Sequence, residues 1–152
     1  MVEHVRAATE VIRRTRPAVV GIPYWCDRHS DHESASRVLS EAVFRAGLRR
    51  YAAAAEPWKP DWICYYFIND VADSSFVINV TGAYDRKRQA LACHRSQFHP
   101  VGDEAVETRL TASSFHQMIE ARDAYLGALI GVGQAEGVVV REPLVRSTWL
   151  KS

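Results

Sequence analysis

The chain has 152 residues, of which 47% are hydrophobic and 24% charged, and this suits one globular domain over residues 1–152 with a real core. Lys plus Arg number 19 and Asp plus Glu 18, so a net charge of +1 provides no field for nucleic acid or an anionic membrane. Cys26, Cys64 and Cys93 are too scattered for a disulfide framework, and no apolar run is long enough to span a bilayer or to serve as an N-terminal signal core, so the expectation is a cytoplasmic protein.

Val2, Val5, Ala8 and Ile12 fall at helical spacing among charged residues and predict an amphipathic helix that Pro17 closes. Ala18 to Ile22 is a short apolar run with β-branched residues, a predicted buried strand. A charged loop from Pro23 to Asp31 follows. Ala35, Val38, Leu39, Ala42, Val43 and Ala46 then mark a second amphipathic helix, with Gly47 near its end as a left-handed cap. Trp62 to Phe67 and Ser75 to Val80 read as strands. Thr81 is placed as the N-cap of a helix from Gly82 to Gln97. An irregular stretch runs from His99 to Leu110. Thr111 or Ser113 caps a long helix to Ile130, and Val138 to Val140 is the last strand. Alternating helices and short apolar strands predict an α/β layered fold. Only four strands are visible, so the sheet is expected to lack strands preceding residue 1.

The loop after the first strand concentrates the chemistry. Cys26, Asp27, Arg28, His29, Asp31 and His32 lie within seven residues. In open α/β sheets, ligands bind beyond the carboxyl ends of the strands, where this loop should sit. His29 and His32 are three apart, so both imidazoles would share one side of a helical first turn. Neutral imidazole is the commonest metal ligand. The same residues also read as a solvated loop, with Ser30 or Asp31 as N-cap. A lone His-x-x-His is a weak metal signal, because catalytic zinc takes three protein ligands. Cys26 would extend the spacing to no familiar module and is read as a spectator. His94, His99 and His116 have weaker claims, and Glu120 with Asp123 reads as a solvated helix face. No Gly-rich phosphate loop is present: Gly127, Gly131 and Gly133 follow a helix rather than a strand.

Four segments in order, DRHSDHESASRVLSEAVFRAGLRRY, SFVINVTGAYDRKRQALACHRSQF, FHQMIEARDAYLGALIG and VVREPL, resemble the later part of the LmbE-like, or PIG-L, deacetylases. Within that family the segments resemble the bacillithiol-biosynthesis deacetylases. The resemblance runs from the first helix to Pro143. It implies a Rossmann-like α/β fold and a zinc-dependent hydrolase that removes the acetyl group from an N-acetylglucosamine derivative, such as N-acetylglucosaminyl malate. By position, His32 would be a Zn2+ ligand and His29 would polarise or protonate the tetrahedral intermediate. Asp31 would hold or tune His29, and Arg28 would contact the polar aglycone.

The chain departs from the family at two places. The family's Ala-His-Pro-Asp-Asp motif supplies two zinc ligands and the base, and no such run occurs in this sequence. Gln134 stands where the bacillithiol branch implies an aromatic residue. The reading is therefore the C-terminal portion of such an enzyme. Its remaining ligands would come from elsewhere, and it would associate with a second copy or with a missing N-terminal half. The alternative is an inactive remnant that only folds or oligomerises.

Overall fold

The computed structural model describes residues 2–98, 109–143 and 145. His99 and most of the expected loop to Leu110 lie outside the described residues. The elements are α1 (Val2–Thr15), β1 (Val19–Pro23), α2 (Ser30–Ala46), β2 (Trp62–Tyr66), β3 (Phe76–Asn79), a 3₁₀ turn (Thr81–Ala83), α3 (Tyr84–Ala92), α4 (Arg95–Phe98), α5 (Ser113–Leu129) and β4 (Ala135–Val139). The strands form one mixed sheet in the order β1-β2-β4-β3, so the expected α/β fold is the one observed. No helix among the described residues is long and apolar enough to cross a membrane.

The chain divides into two compact units, Met1–Ser75 with Val138–Ser152, and Phe76–Gly137. In the first, β1 and β2 pair in parallel, from Val19 against Trp62 to Pro23 against Tyr66. Tyr65 and Tyr66 then pair antiparallel with Val139 and Val138. Helices α1 and α2 share a core of Val5, Ile12, Ala42, Val43 and Ala46, packed with Val20 and Ile63 of the strands. Two polar residues are buried in the same place. Thr9 is 0% exposed and donates to the Val5 carbonyl at 2.7 Å. Arg13 is 3% exposed and donates to the carbonyls of Ala46 (3.0 Å), Arg45 (3.4 Å), Leu48 (2.7 Å), Tyr51 (3.3 Å) and Ala55 (3.0 Å). One guanidinium thus ties together carbonyls at the end of α2 and in the loop that follows it. Pro17 acts as expected: Arg16, just before it, leaves the α region for φ +49°.

Several local expectations are corrected. Gly47 is the C-cap of α2, but with φ −79° it is right-handed. The helix expected over 82–97 is broken at Cys93 and His94. Thr81 opens a 3₁₀ turn instead of capping a helix, because its hydroxyl is used elsewhere: it accepts from the Gln134 N–H at 3.0 Å and donates to the Gln134 carbonyl at 3.3 Å. The N-cap of α5 is Ala112, with no side-chain bond. The last strand begins three residues earlier than expected, at Ala135.

The second unit packs α5 through Phe115 and Ile119 onto Phe98. Asp123, on the same face, is 0% exposed. It accepts from the Tyr84 hydroxyl at 3.1 Å, Lys87 Nζ at 2.5 Å and Arg122 Nε at 3.2 Å. The solvated face expected for Glu120 and Asp123 therefore holds for exposed Glu120 and fails for Asp123. Burial, reinforced by the Asp123 charge, pushes the Tyr84 phenol well above its ordinary range.

Gly127 ends that face where the chain turns back: a Cβ there would lie 2.8 Å from the carbonyl oxygens of Val132 and Gly133. Gly127→Ala gains about 1 kcal/mol of helix propensity. Overpacking against backbone that cannot yield costs roughly 1–3 kcal/mol. We expect a net loss, read as a lower urea midpoint at unchanged slope.

Candidate active site

Parallel pairing of β1 and β2 brings the loops after Pro23 and Tyr66 out side by side, and the Tyr24 N–H donates to the Tyr66 carbonyl at 2.9 Å to continue the pairing. Residues 42 positions apart thereby meet beyond the strand ends, as ligand sites in such sheets do.

Asp27 is the centre of the junction, with its side chain 3% exposed. Oδ1 accepts from the His29 N–H (2.9 Å) and from Asn69 Nδ2 (2.9 Å), and lies 3.0 Å from His32 Nδ1. Oδ2 accepts from the backbone N–H groups of Asn69 (2.9 Å) and Asp70 (3.3 Å). Burial alone would raise this carboxyl's pKa. The bonds from the Asn69 side chain, the His29 and Asn69 backbones and His32 outweigh it, and hold the group well below the usual carboxylate range. An ionised carboxylate only accepts, so in this contact His32 Nδ1 is the donor, and in the neutral ring Nε2 then keeps its lone pair; the Asn69 amide nitrogen lies 3.3 Å from the same Nδ1.

His29 is arranged in the opposite sense. It is the N-cap of α2, with φ −95° and ψ 115°, and its Nδ1 accepts from the Asp31 N–H at 3.2 Å. Neither Ser30 nor Asp31 holds the cap that the sequence suggested. Nδ1 must be bare to accept, which leaves the neutral ring's proton on Nε2. The two imidazoles stack with centroids 4.8 Å apart and planes at 25°. One turn of chain thus presents a bare nitrogen on His32 beside an N–H donor on His29. The contact between Asp31 and His29 runs through the Asp31 backbone, and the Asp31 carboxylate is exposed.

Arg28 is tied to Asp70. Its backbone N–H donates to Oδ2 at 2.6 Å, and Nε and Nη2 donate to Oδ1 at 2.8 and 2.6 Å. Arg28 holds the Asp70 carboxyl below its ordinary range. Arg28 is exposed and Asp70 half-buried, and Nη1 is the guanidinium nitrogen outside the pair. Cys26 is exposed and free.

His32 fits one ligand position of a zinc site well, because metal-bound histidines usually donate their other ring nitrogen to a carboxylate. The whole donor set does not reach the three protein ligands that catalytic zinc takes. Among the described residues no group of three His, Cys, Asp or Glu stands where it could hold a metal ion.

Asn69 and Asp70 escaped the sequence reading. Their signal was positional: they directly follow a strand that neighbours β1.

No family model matches the sequence. Among solved structures, the chain is similar to a conserved protein of Thermus thermophilus, with 29% identity and a TM-score of 0.85 over 100% of this chain and 64% of that one. It is similar to the 4-carboxy-2-hydroxymuconate hydratase GalB of Pseudomonas putida, with 17% identity and a TM-score of 0.76 over 99% of this chain and 62% of that one. It is also similar to the N,N'-diacetylchitobiose deacetylase of Pyrococcus horikoshii, with 19% identity and a TM-score of 0.72 over 92% of this chain and 51% of that one. The chain therefore spans between half and two-thirds of the length of these proteins. A hydratase and a deacetylase share the fold, so the likeness establishes the α/β architecture and leaves the reaction to the site.

Proposed function

We propose that this chain is the C-terminal portion of a zinc-dependent deacetylase of the LmbE-like kind, acting on the acetamido group of an N-acetylglucosamine derivative. The observation that carries the reading is the bond between His32 Nδ1 and buried Asp27, which would leave Nε2 as the nitrogen for a metal. The fold shared with the diacetylchitobiose deacetylase and the family motifs around His29 and His32 support it.

Zinc, when bound, would polarise the amide carbonyl and acidify a water. His32 would hold it in part, with Asp27 fixing the ring. His29 would offer its Nε2–H to the oxygen on which charge develops, and Asp31 would tune that ring through its charge. Arg28, oriented by Asp70, would meet a polar aglycone such as malate with Nη1. The remaining ligands and the base would come from an Ala-His-Pro-Asp-Asp segment outside these 152 residues. Association with that segment, or with further copies, follows from this reading.

The experiment measures acetate release from N-acetylglucosaminyl malate and from diacetylchitobiose. We expect no turnover by the chain alone, and turnover when a polypeptide carrying the missing motif is co-expressed. In the active assembly, His32→Ala should lose zinc. His29→Ala should keep zinc and lose roughly two to three powers of ten in rate, as for one oxyanion donor. Silence of every assembly would favour the remnant reading, and equal zinc loss in both variants would refute the division of roles.

A further inference from the structure

A cavity of about 590 Å³ lies in the first unit, apart from the histidine pair: Trp25, Ser36, Arg37, Phe44 and Arg141 are among its walls, and none of Asp27, His29 or His32 is. Its chemistry is not that of a plain apolar groove. Arg141, an exposed residue, is held by rings and has no carboxylate partner among the described residues. Its guanidinium carbon stands 4.1 Å from the Trp25 ring centroid and 5.1 Å from that of Tyr65, and these two rings meet edge to face at 4.7 Å. Stacking orients the cation without itself supplying a counter-charge. Arg37 contributes a second cation with no carboxylate partner among the described residues. Glu41, the one carboxylate in the lining, is committed to Arg45 at 2.7 Å. Among the described residues the unpaired charge of the lining is therefore positive.

Ser36 supplies an independent sign. It is 1% exposed, and its buried hydroxyl has no hydrogen-bond partner among the described residues. A buried polar atom in that state is costly unless something else completes it. The neighbouring Ser40 hydroxyl is already satisfied by the Tyr65 hydroxyl at 3.3 Å. Ser36 is one helical turn beyond His32 on α2, and Trp25 is two residues before Asp27, so the same two segments build both sites.

We propose that this cavity binds a small amphipathic anion. The carboxylate or phosphate of the ligand pairs with Arg141, assisted by Arg37, the Ser36 hydroxyl completes its bonding on a ligand oxygen, and the apolar body rests on Trp25 and Phe44. The proposal does not depend on the deacetylase reading.

The test is calorimetric titration of the full chain with phenyl phosphate and phenylacetate, and with benzyl alcohol as the neutral counterpart. Saturable one-to-one binding of at least one anion is expected, with benzyl alcohol weaker by roughly tenfold or more, since a charge-assisted contact is worth about that factor. The anion that binds better identifies the group recognised. Arg141→Gln should weaken anion binding by roughly tenfold or more, and Ser36→Ala, a change favourable to a helix, by a few-fold, with circular dichroism unchanged. Should Arg141→Gln not fold, Ser36→Ala and Arg37→Gln carry the test in the same titration. Absence of saturable anion binding to the wild type, equal binding of benzyl alcohol, or affinities untouched by the substitutions would overturn the proposal.

Discussion

Asp27→Ala is expected to destabilise the chain by about 2–4 kcal/mol, because it removes a buried carboxylate that several part-buried donors share. The side chain joins two loops that no backbone pairing connects beyond Tyr24. It holds the N–H groups of His29, Asn69 and Asp70, the Asn69 amide and the His32 ring. Asp27→Asn keeps the shape but loses the charge, and its amide can no longer accept from both sides, so we expect a smaller loss.

The pH dependence separates the two effects. The folded-state pKa of Asp27 is depressed. Its contribution is therefore fully present above the unfolded-chain value of about 3.9, and is lost as pH falls through the folded value. Urea midpoints for the wild type should fall on the acid side of that window. Asp27→Asn should fall less steeply there. A midpoint in Asp27→Ala equal to wild type at neutral pH would contradict the account.

Arg13→Ala should be of similar size, about 3–4 kcal/mol, for a different reason. Five carbonyls converge on this guanidinium, and the loop from Leu48 to Ala55 is held against α1 through three of them. Arg13→Met restores the packing of the stem but none of the bonds, and should recover only a minor part. Arg13→Lys offers a point charge where a planar fork spans several acceptors, and should fall between Arg13→Met and the wild type. Since a domain of this size has roughly 5–15 kcal/mol in total, Arg13→Ala approaches the limit of folding. Chemical denaturation of the three variants checks the order.

Much of this architecture was legible in the sequence because it is written in local periodicity. All four strands were placed by short apolar runs, and α1 and α2 by their apolar spacing. The errors lie where a side chain is claimed by a distant partner. Thr81 looks like a helix cap, but Gln134 takes its hydroxyl. Asp123 looks solvated beside Glu120, yet Phe115, Ile119 and Asp123 recur every fourth residue, and that spacing already placed it on the buried face.

The candidate site divides in the same manner. Arg28, His29, Asp31 and His32 are close neighbours in the sequence, so the end of the loop and the first turn of α2 could be singled out together. Asp27 was seen only as a neighbour, and its place as the hub depends on Asn69 and Asp70. Those two arrive through strand pairing, which no single stretch of chain encodes. Arg28 illustrates the consequence: read alone it is a free cation, whereas in the fold Asp70 occupies two of its three nitrogens.

The division of labour between the two stacked imidazoles is the core of the functional reading, and long-range nitrogen–proton NMR of the wild-type chain measures it most directly. Where both rings give the neutral-imidazole signature, His32 should carry its proton on Nδ1 with Nε2 bare, and His29 should carry its proton on Nε2. In Asp27→Asn that preference of His32 should weaken while His29 stays unchanged. A His29 protonated on Nδ1 would contradict it by removing the donor assigned to that ring, and a His32 protonated on Nε2 would contradict it because no bare nitrogen would then be left by the bond to Asp27.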